Sequence, residues 1–341
     1  MGVARVPRSD PMHLALIGLG NWGRRIAGCV ASTADAELVT CFGRDPDRRR
    51  AFAEQIGTRP AASFEALLDD KGIDAVMIAT PHSTHADLVC AAAAAGKHVF
   101  VEKPMTLSVT DAQRCIDAAA RAGVLLYVNH FRRRAAATVA LRSMAGDGEL
   151  GMVQQLEAVF TRPVGIGDTT GWRGDPAETP AGGMTALGVH MVDNLQAVAG
   201  PVQRLSAMSK PVLGRNAIDD VTGVLLEYRS GPLAYLGTSL TVPKRVTFGV
   251  SGTDAAAWSA DDGTRLLRQE RDAEVPEELK VQVLDPVLAS VNAFVDNVRT
   301  HTAPDTGGKE GLEVVAVLEA ITHSAAEGGA VVELDDVRAG R

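Results

Sequence analysis

Over residues 13–130, short and uniformly apolar runs alternate with segments whose apolar residues recur at helical spacing. This rhythm predicts a parallel sheet with crossover helices. A parallel strand is buried on both faces, and it needs a long connection to reach its neighbour. Strands are expected at 13–18 (HLALIG), 37–43 (ELVTCFG), 74–80 (DAVMIAT), 98–103 (HVFVEK) and 124–129 (VLLYVN). Helices are expected at about 22–33, 46–56, 84–95 and 108–122. Asp45 and Pro46 open the second of these, and Gly57, Gly96 and Gly123 close the last three.

Beyond residue 130 the pattern changes. A helix near 135–144 ends in GDGELG, and then MVQQLEAVF, VTGVLLEYRSGPLAYLGTSL, RVTFGVSG and AAAWSA follow as strands with no helix between the later ones. The second of these runs turns at Ser230-Gly231-Pro232, and strands joined by turns make an antiparallel sheet. Helices at about 286–299 and 310–326 and a short AVVEL strand complete the pattern. The fold class read from this is α/β. A parallel-sheet domain over 12–131 precedes an α+β domain with one large, mainly antiparallel sheet over 132–336.

A length of 341 residues suits two domains, and 46% hydrophobic with 22% charged residues is a globular composition. The net charge of −8 with no long basic run argues against a nucleic-acid or anionic-membrane partner. Cys29, Cys41, Cys90 and Cys115 form no C-x-x-C pair, which suggests reduced, intracellular thiols. The opening MGVARVPRSDPM has no apolar core of an export signal, and LVCAAAAAG is too short to span a bilayer. A cytoplasmic location is therefore expected. The eight histidines are scattered without acidic or cysteine partners, so no metal site is expected.

Chemistry enters first at GLGNWG, where Gly18, Gly20 and Gly23 fit G-x-G-x-x-G between a strand and a helix. In that context the first glycine permits a tight turn, the second lets a pyrophosphate approach, and the third lets helix pack on strand. The helix N-terminus adds free N–H groups for phosphate, and Asn21 and Trp22 are expected against the same ligand. Selection of NAD needs an acid on the ribose 2′-hydroxyl about 20 residues on. Glu37 satisfies the count but lies at the wrong end of its strand. At the right end stands Gly43, followed by Arg44, and an arginine without that acid can hold a 2′-phosphate. NADP is favoured over NAD on this basis. The alternative is that the helix cap Asp45 reaches the ribose.

Glu102-Lys103-Pro104 ends a strand on the side where open α/β sheets bind ligands. A lone lysine is ordinarily a solvated charge, but Pro104 forces Lys103 into an extended or turn conformation at the cofactor edge. Taken with GLGNWG, TPHSTHADLVCAAAAAGKHVFVEKP, GELG at 148–151, GGMTALGVHMVD and FVDNVRTHTAPDTGGKEGLEVVAVLEAITHSA, the chain resembles the glucose–fructose oxidoreductase / inositol dehydrogenase (Gfo/Idh/MocA) family. The ordered features span about 13–334. The resemblance implies a Rossmann domain, an open-faced second sheet that pairs subunits into a homodimer or homotetramer, and a nicotinamide cofactor. It also implies hydride transfer at a secondary alcohol or ketone of a small molecule: a sugar, cyclitol or cyclic diol.

By position, Lys103 matches the family's catalytic lysine, where an acid/base is needed for the hydroxyl proton. His190 matches the histidine that hydrogen-bonds the reacting oxygen or relays its proton. Thr80, Pro81 and His82 match the loop along the cofactor, with His82 where the family often has Asn, and His85 is expected to pack that loop onto its helix. Arg132, Trp172 and Arg173 match stretches bordering the substrate. For Arg132 a solvated basic helix start is an equal alternative.

Many sugar-oxidising members carry Asp four residues before the histidine, but here that position is Ala186. A carboxylate there would share a helix face with the imidazole and orient it. Asp193 could lend a carboxylate from the other side, although its family counterpart coexists with the missing Asp, which argues for a structural role. Thr185 is a second candidate to fill the gap. The expectation is that proton chemistry rests mainly on Lys103 and that His190 is neutral. Two competing functions share the fold: redox-neutral NAD-dependent processing of glycosides, and ligand sensing without catalysis.

Overall fold

The structure is a computed structural model and describes residues 10–164, 171–213 and 217–340. The opening residues 1–9, on which the export-signal reading rests, lie outside the described part. Strands β1 (Met12–Ile17), β2 (Ala36–Phe42), β3 (Arg59–Pro60), β4 (Ala75–Ile78), β5 (His98–Val101) and β6 (Leu126–Val128) form one sheet in the order β3-β2-β1-β4-β5-β6. Every pairing in it is parallel. Helices α1 (Asn21–Ala31), α2 (Pro46–Ile56), α3 (Phe64–Asp69), α4 (His85–Ala94) and α5 (Val109–Ala122) make the connections. Their ends follow the local chemistry. Asp45 accepts from the N–H groups of Asp47 and Arg48, Ser108 caps α5 through Asp111 N–H, and Gly57 and Gly123 close their helices in the left-handed conformation. The strand order reverses between β1 and β4, and ligands of open α/β sheets bind at such a point.

Helix α6 (Ala136–Gly146) leads into β7 (Val153–Thr161), then α7 (Val189–Ala199) and strands β8 (Val202–Lys210), β9 (Val221–Tyr228), β10 (Leu233–Ser239), β11 (Arg245–Gly252), β12 (Ala255–Ala260), β13 (Arg265–Glu270) and β14 (Glu277–Leu279). Helices α8 (Pro286–Thr300) and α9 (Gly308–Ala326), strand β15 (Val332–Glu333) and helix α10 (Leu334–Arg338) follow. The nine strands form a second sheet in the order β14-β13-β12-β11-β7-β10-β9-β8-β15. It is antiparallel except at its centre, where β7 and β10 run parallel. The exception arises because β7 enters first and later hairpins are added on both of its sides. Two expectations are corrected in detail. VQRLSAMSK forms β8, which its polar outward residues hid, and AVVEL contributes only two strand residues before Leu334 starts a helix.

Helices α6, α7 and α9 cover one face of this sheet. Among the described residues no helix covers the other face, which presents Met208, Leu225, Leu233 and Tyr235. Helix α8 instead returns to the parallel sheet, where Phe294 packs 5.5 Å from Phe100 and 5.8 Å from Tyr127 between ring centroids. Among the described residues, no helix is long and apolar enough to cross a membrane, and no cluster of His, Cys, Asp or Glu could hold a metal ion.

Candidate active site

A cleft of about 430 Å³ opens at the switch point of the parallel sheet, and its floor is the GLGNWG turn. Gly18 has φ +99, and a Cβ on it would stand 2.3 Å from the Ala79 carbonyl oxygen. A Cβ on Gly23 would stand 2.0 Å from Gly18 O, so helix and strand meet there at backbone distance. At Gly20, by contrast, a Cβ would touch nothing within 4 Å, so what its bareness keeps open is the cleft itself. The N-terminus of α1 begins at Asn21, and Asn21 and Trp22 line the same cleft. This cradle fits a dinucleotide pyrophosphate. Trp22 also leans on Phe131, 5.3 Å away, which ties the phosphate turn to the segment carrying Arg132.

At the far end Gly43, Arg44, Asp45 and Arg48 line the cleft. Asp45 Oδ1 is engaged by two backbone N–H groups at 2.9 and 3.0 Å, as a helix cap should be. Arg48 was not singled out by the sequence, yet it stands one helical turn from Arg44 and faces the same space.

The Thr80-Pro81-His82 loop forms the opposite wall. Thr84 Oγ1 donates to Thr80 Oγ1 at 2.7 Å, and the buried His85 ring spans Thr80 O at 3.1 Å and Pro104 O at 3.0 Å. His85 therefore holds the cofactor loop to the Glu102-Lys103-Pro104 turn, consistent with a packing role, and burial lowers its pKa. The His82 Nδ1–H donates to the Glu178 carbonyl at 2.8 Å, and its ring meets Trp172 edge-on at 4.8 Å. Burial, followed by the nearby His85, holds the His82 pKa down to about 3, so the ring is neutral. No motif or local pattern marks Glu178 in the sequence. Its carboxylate accepts from Ser83 N–H at 2.9 Å and also from Ser83 Oγ, which latches the Trp172–Arg173 segment over the cofactor loop. Arg173 stacks 4.2 Å from the Trp172 ring, and both line the cleft.

Lys103 sits where this wall meets the second domain. Its Nζ donates to the carbonyl of Ala186 at 2.8 Å. Residues Met184–Gly188 wind as one wide π-helical turn that runs directly into α7. Such turns recur at functional sites because they redirect carbonyls out of the helical ladder. Burial drives the Lys103 pKa below its usual value, Arg173 and Arg132 push the same way, and Glu102 opposes. Glu102 is buried and accepts from Asn129 Nδ2 at 2.7 Å, while burial raises its own pKa. Asn129 Oδ1 in turn accepts from Ser290 Oγ at 2.8 Å, so α8 anchors the floor beneath the lysine.

His190 is only 4% exposed and lies edge-on to Phe131 with centroids 5.0 Å apart. Burial holds its pKa well below the usual histidine value, helped by the positive Lys103 and Arg132. Arg132 is engaged rather than solvated. It pairs with Asp262, which also binds Lys244 at 2.7 Å, and its guanidinium lies 4.5 Å from the Phe160 ring centroid. The two residues considered for the gap at Ala186 are occupied elsewhere. Thr185 Oγ1 accepts from Ala181 N–H at 3.1 Å, and Asp193 Oδ2 accepts from Arg133 Nε at 2.7 Å. Asp193 also lies near His130, with 3.8 Å from its Oδ1 to the ring Nδ1.

Known proteins are similar to this chain along most of its length. Residues 12–130 match the model of the oxidoreductase family with an NAD-binding Rossmann fold, and residues 138–258 match the GFO/IDH/MocA C-terminal domain. The chain is 28% identical to the 1,5-anhydro-D-fructose reductase of Ensifer adhaerens over 92% of its length and 96% of that protein. It is 31% identical to the D-xylose 1-dehydrogenase (NADP(+)) 2 of Haloferax volcanii over 95% of its length and all 100% of that protein. A crystal structure from Desulfitobacterium hafniense, provisionally named an NADPH-dependent oxidoreductase, superposes with a TM-score of 0.92 at 30% identity, covering 97% of this chain and 100% of that one. The chain belongs to the Gfo/Idh/MocA oxidoreductase family and is an NAD(P)-dependent oxidoreductase acting on CH–OH groups.

Proposed function

We propose that this oxidoreductase uses NADP(H) in preference to NAD(H) and interconverts a secondary alcohol and a ketone, or a lactol and its oxidised form, in a sugar-like substrate. The observation that carries the proton chemistry is Lys103 Nζ, held by the Ala186 carbonyl within electrostatic reach of Arg173, which lines the cleft. When bound, the nicotinamide supplies or accepts the hydride. Lys103 gives the proton to the substrate oxygen in reduction and removes it in oxidation, and a pKa lowered by burial suits both directions near neutrality. His190, kept neutral, hydrogen-bonds the same oxygen. Trp172, Arg173 and Arg132 border the substrate. The sugar-processing names of the two relatives agree with this polar wall.

The preference for NADP rests on Gly43 in place of an acid, on Arg44 and Arg48 facing the cleft, and on one of the two Asp45 oxygens being held by the helix cap. A 2′-phosphate between two guanidinium groups is held by charge-assisted hydrogen bonds. Pairing of subunits through the exposed sheet face belongs to the same reading, since Met208, Leu225, Leu233 and Tyr235 form an apolar patch there. So does a cytoplasmic location, supported by four free thiols.

The test follows cofactor absorbance with aldoses, ketoses, cyclitols and cyclic diols, using both cofactors. Net oxidation or reduction of NADP(H) is expected, with NAD(H) weaker. Product without net change in cofactor would identify redox-neutral glycoside processing instead, and binding without product would identify a sensor.

A further inference from the structure

Behind His190 lie buried polar atoms that take no part in the proposed proton transfer. His130 is 1% exposed, and neither of its ring nitrogens has a partner among the described residues. The same holds for His190 Nδ1 and for Asp193 Oδ1. A histidine kept only for packing normally satisfies its N–H, because an unpaired buried donor loses its hydration and receives nothing in return. Two of these atoms are close together, and the third lies within electrostatic reach. His130 Nδ1 stands 3.8 Å from Asp193 Oδ1, and His130 is among the groups that act electrostatically on His190. On α7, His190 and Asp193 are three residues apart and share a face.

We propose that His130, backed by Asp193, is the positioning residue that orients His190 in place of the missing carboxylate at Ala186. Asp193 is itself fixed. Arg133 Nε donates to its Oδ2 at 2.7 Å, and Arg133 NH1 is held by the Asp305 carbonyl at 2.5 Å, which leaves Oδ1 for His130. The proton inventory closes with both rings neutral. A small shift that closes the 3.8 Å gap lets His130 Nδ1–H donate to Asp193 Oδ1, which leaves His130 Nε2 as an acceptor. His190 Nδ1–H reaches that acceptor through one water, of the kind that commonly links buried polar groups that have no direct partner. His190 Nε2, the nitrogen not sealed off, then carries the lone pair toward the substrate. A carboxylate at 186 would fix the same tautomer from one helical turn away. Here the partner comes from the segment after β6, and it adds no charge to the pocket.

The inference rests on His190 facing the substrate, but its test needs neither substrate nor turnover. Two-bond proton–nitrogen correlations on uniformly ¹⁵N-labelled protein report which ring nitrogen carries the proton, and the His190→Gln variant identifies the His190 signals. The wild type is expected to show His190 protonated on Nδ1. His130→Phe is expected to shift at least half of the population to the Nε2–H form, and His130→Gln, which keeps an acceptor, to restore the Nδ1–H form. Unchanged cofactor affinity in the variants shows that the fold is intact. A wild-type His190 protonated on Nε2 would overturn the proposal even if His130→Phe does not fold. An Nδ1–H tautomer that survives His130→Phe would overturn it as well. A failed turnover screen would count against the proposed reaction and leave this readout untouched.

Discussion

The cleft at the switch point and the proposed substrate wall are built by different means. The cleft is made of backbone: a left-handed Gly18, a Gly23 that lets Gly18 O approach, and the free N-terminus of α1. The wall is made of side chains that the topology gathers from distant segments: His130 after β6, Asp193 and His190 on α7, and Asp262 in the β12–β13 turn. A backbone site constrains consecutive residues and so marks the sequence. A side-chain site constrains only the fold, and each of its members can be read locally as something else.

The largest effect is expected at the proposed acid/base. Lys103→Met should lower kcat by about 10²–10⁴-fold, the range for a lost acid/base, while cofactor affinity stays near the wild-type value. Retained turnover would place the proton chemistry elsewhere. Within the cleft, Gly18→Ala and Gly20→Ala should separate folding from binding. The first forces a Cβ to within 2.3 Å of Ala79 O at a positive φ and should cost about 1–3 kcal/mol in thermal unfolding from the backbone alone. The second should change stability by no more than about 0.5 kcal/mol and still weaken the cofactor, because its Cβ enters the cleft.

At the ribose end, Arg44→Ser should weaken NADP binding by about 10–100-fold, the worth of a hydrogen bond to a charged group, and leave NAD unchanged. Equal losses for both cofactors would mean that Arg44 holds something other than the 2′-phosphate. The pH profile should show the direction of the lysine shift. Oxidation needs neutral Lys103, so its rate should rise with pH, with a midpoint below that of a free lysine, and reduction should fall through the same midpoint. The smallest effect on chemistry is expected at the exposed sheet face. Leu225→Lys should shift the protein toward monomer in analytical ultracentrifugation with little change in kcat.

The same contrast explains what the sequence disclosed. Strand, glycine turn and helix were legible at residues 12–31 because period and turn chemistry coincide there. Lys103 was legible because Pro104 fixes its surroundings. Strand β8 was hidden, since VQRLSAMSK buries only alternate residues and exposes Arg204 and Met208. Glu178 and Ser83 are 95 residues apart, and nothing local announces a latch. The Asp193 carboxylate was legible as an acid near His190, but its engagement by Arg133 follows only from the path of the chain after β6. For Arg132 a solvated charge and a substrate contact read equally well, because Asp262 lies 130 residues away.

The most direct test of the central claim follows the hydride itself. The enzyme is incubated with NADPH carrying deuterium at both C4 positions of the nicotinamide and the carbonyl sugars that support turnover, and the products are examined by mass spectrometry. The account predicts one deuterium at the new carbinol carbon in the wild type and none formed by Lys103→Met on the same timescale. Product formed without deuterium, or with no oxidation of NADPH, would contradict it.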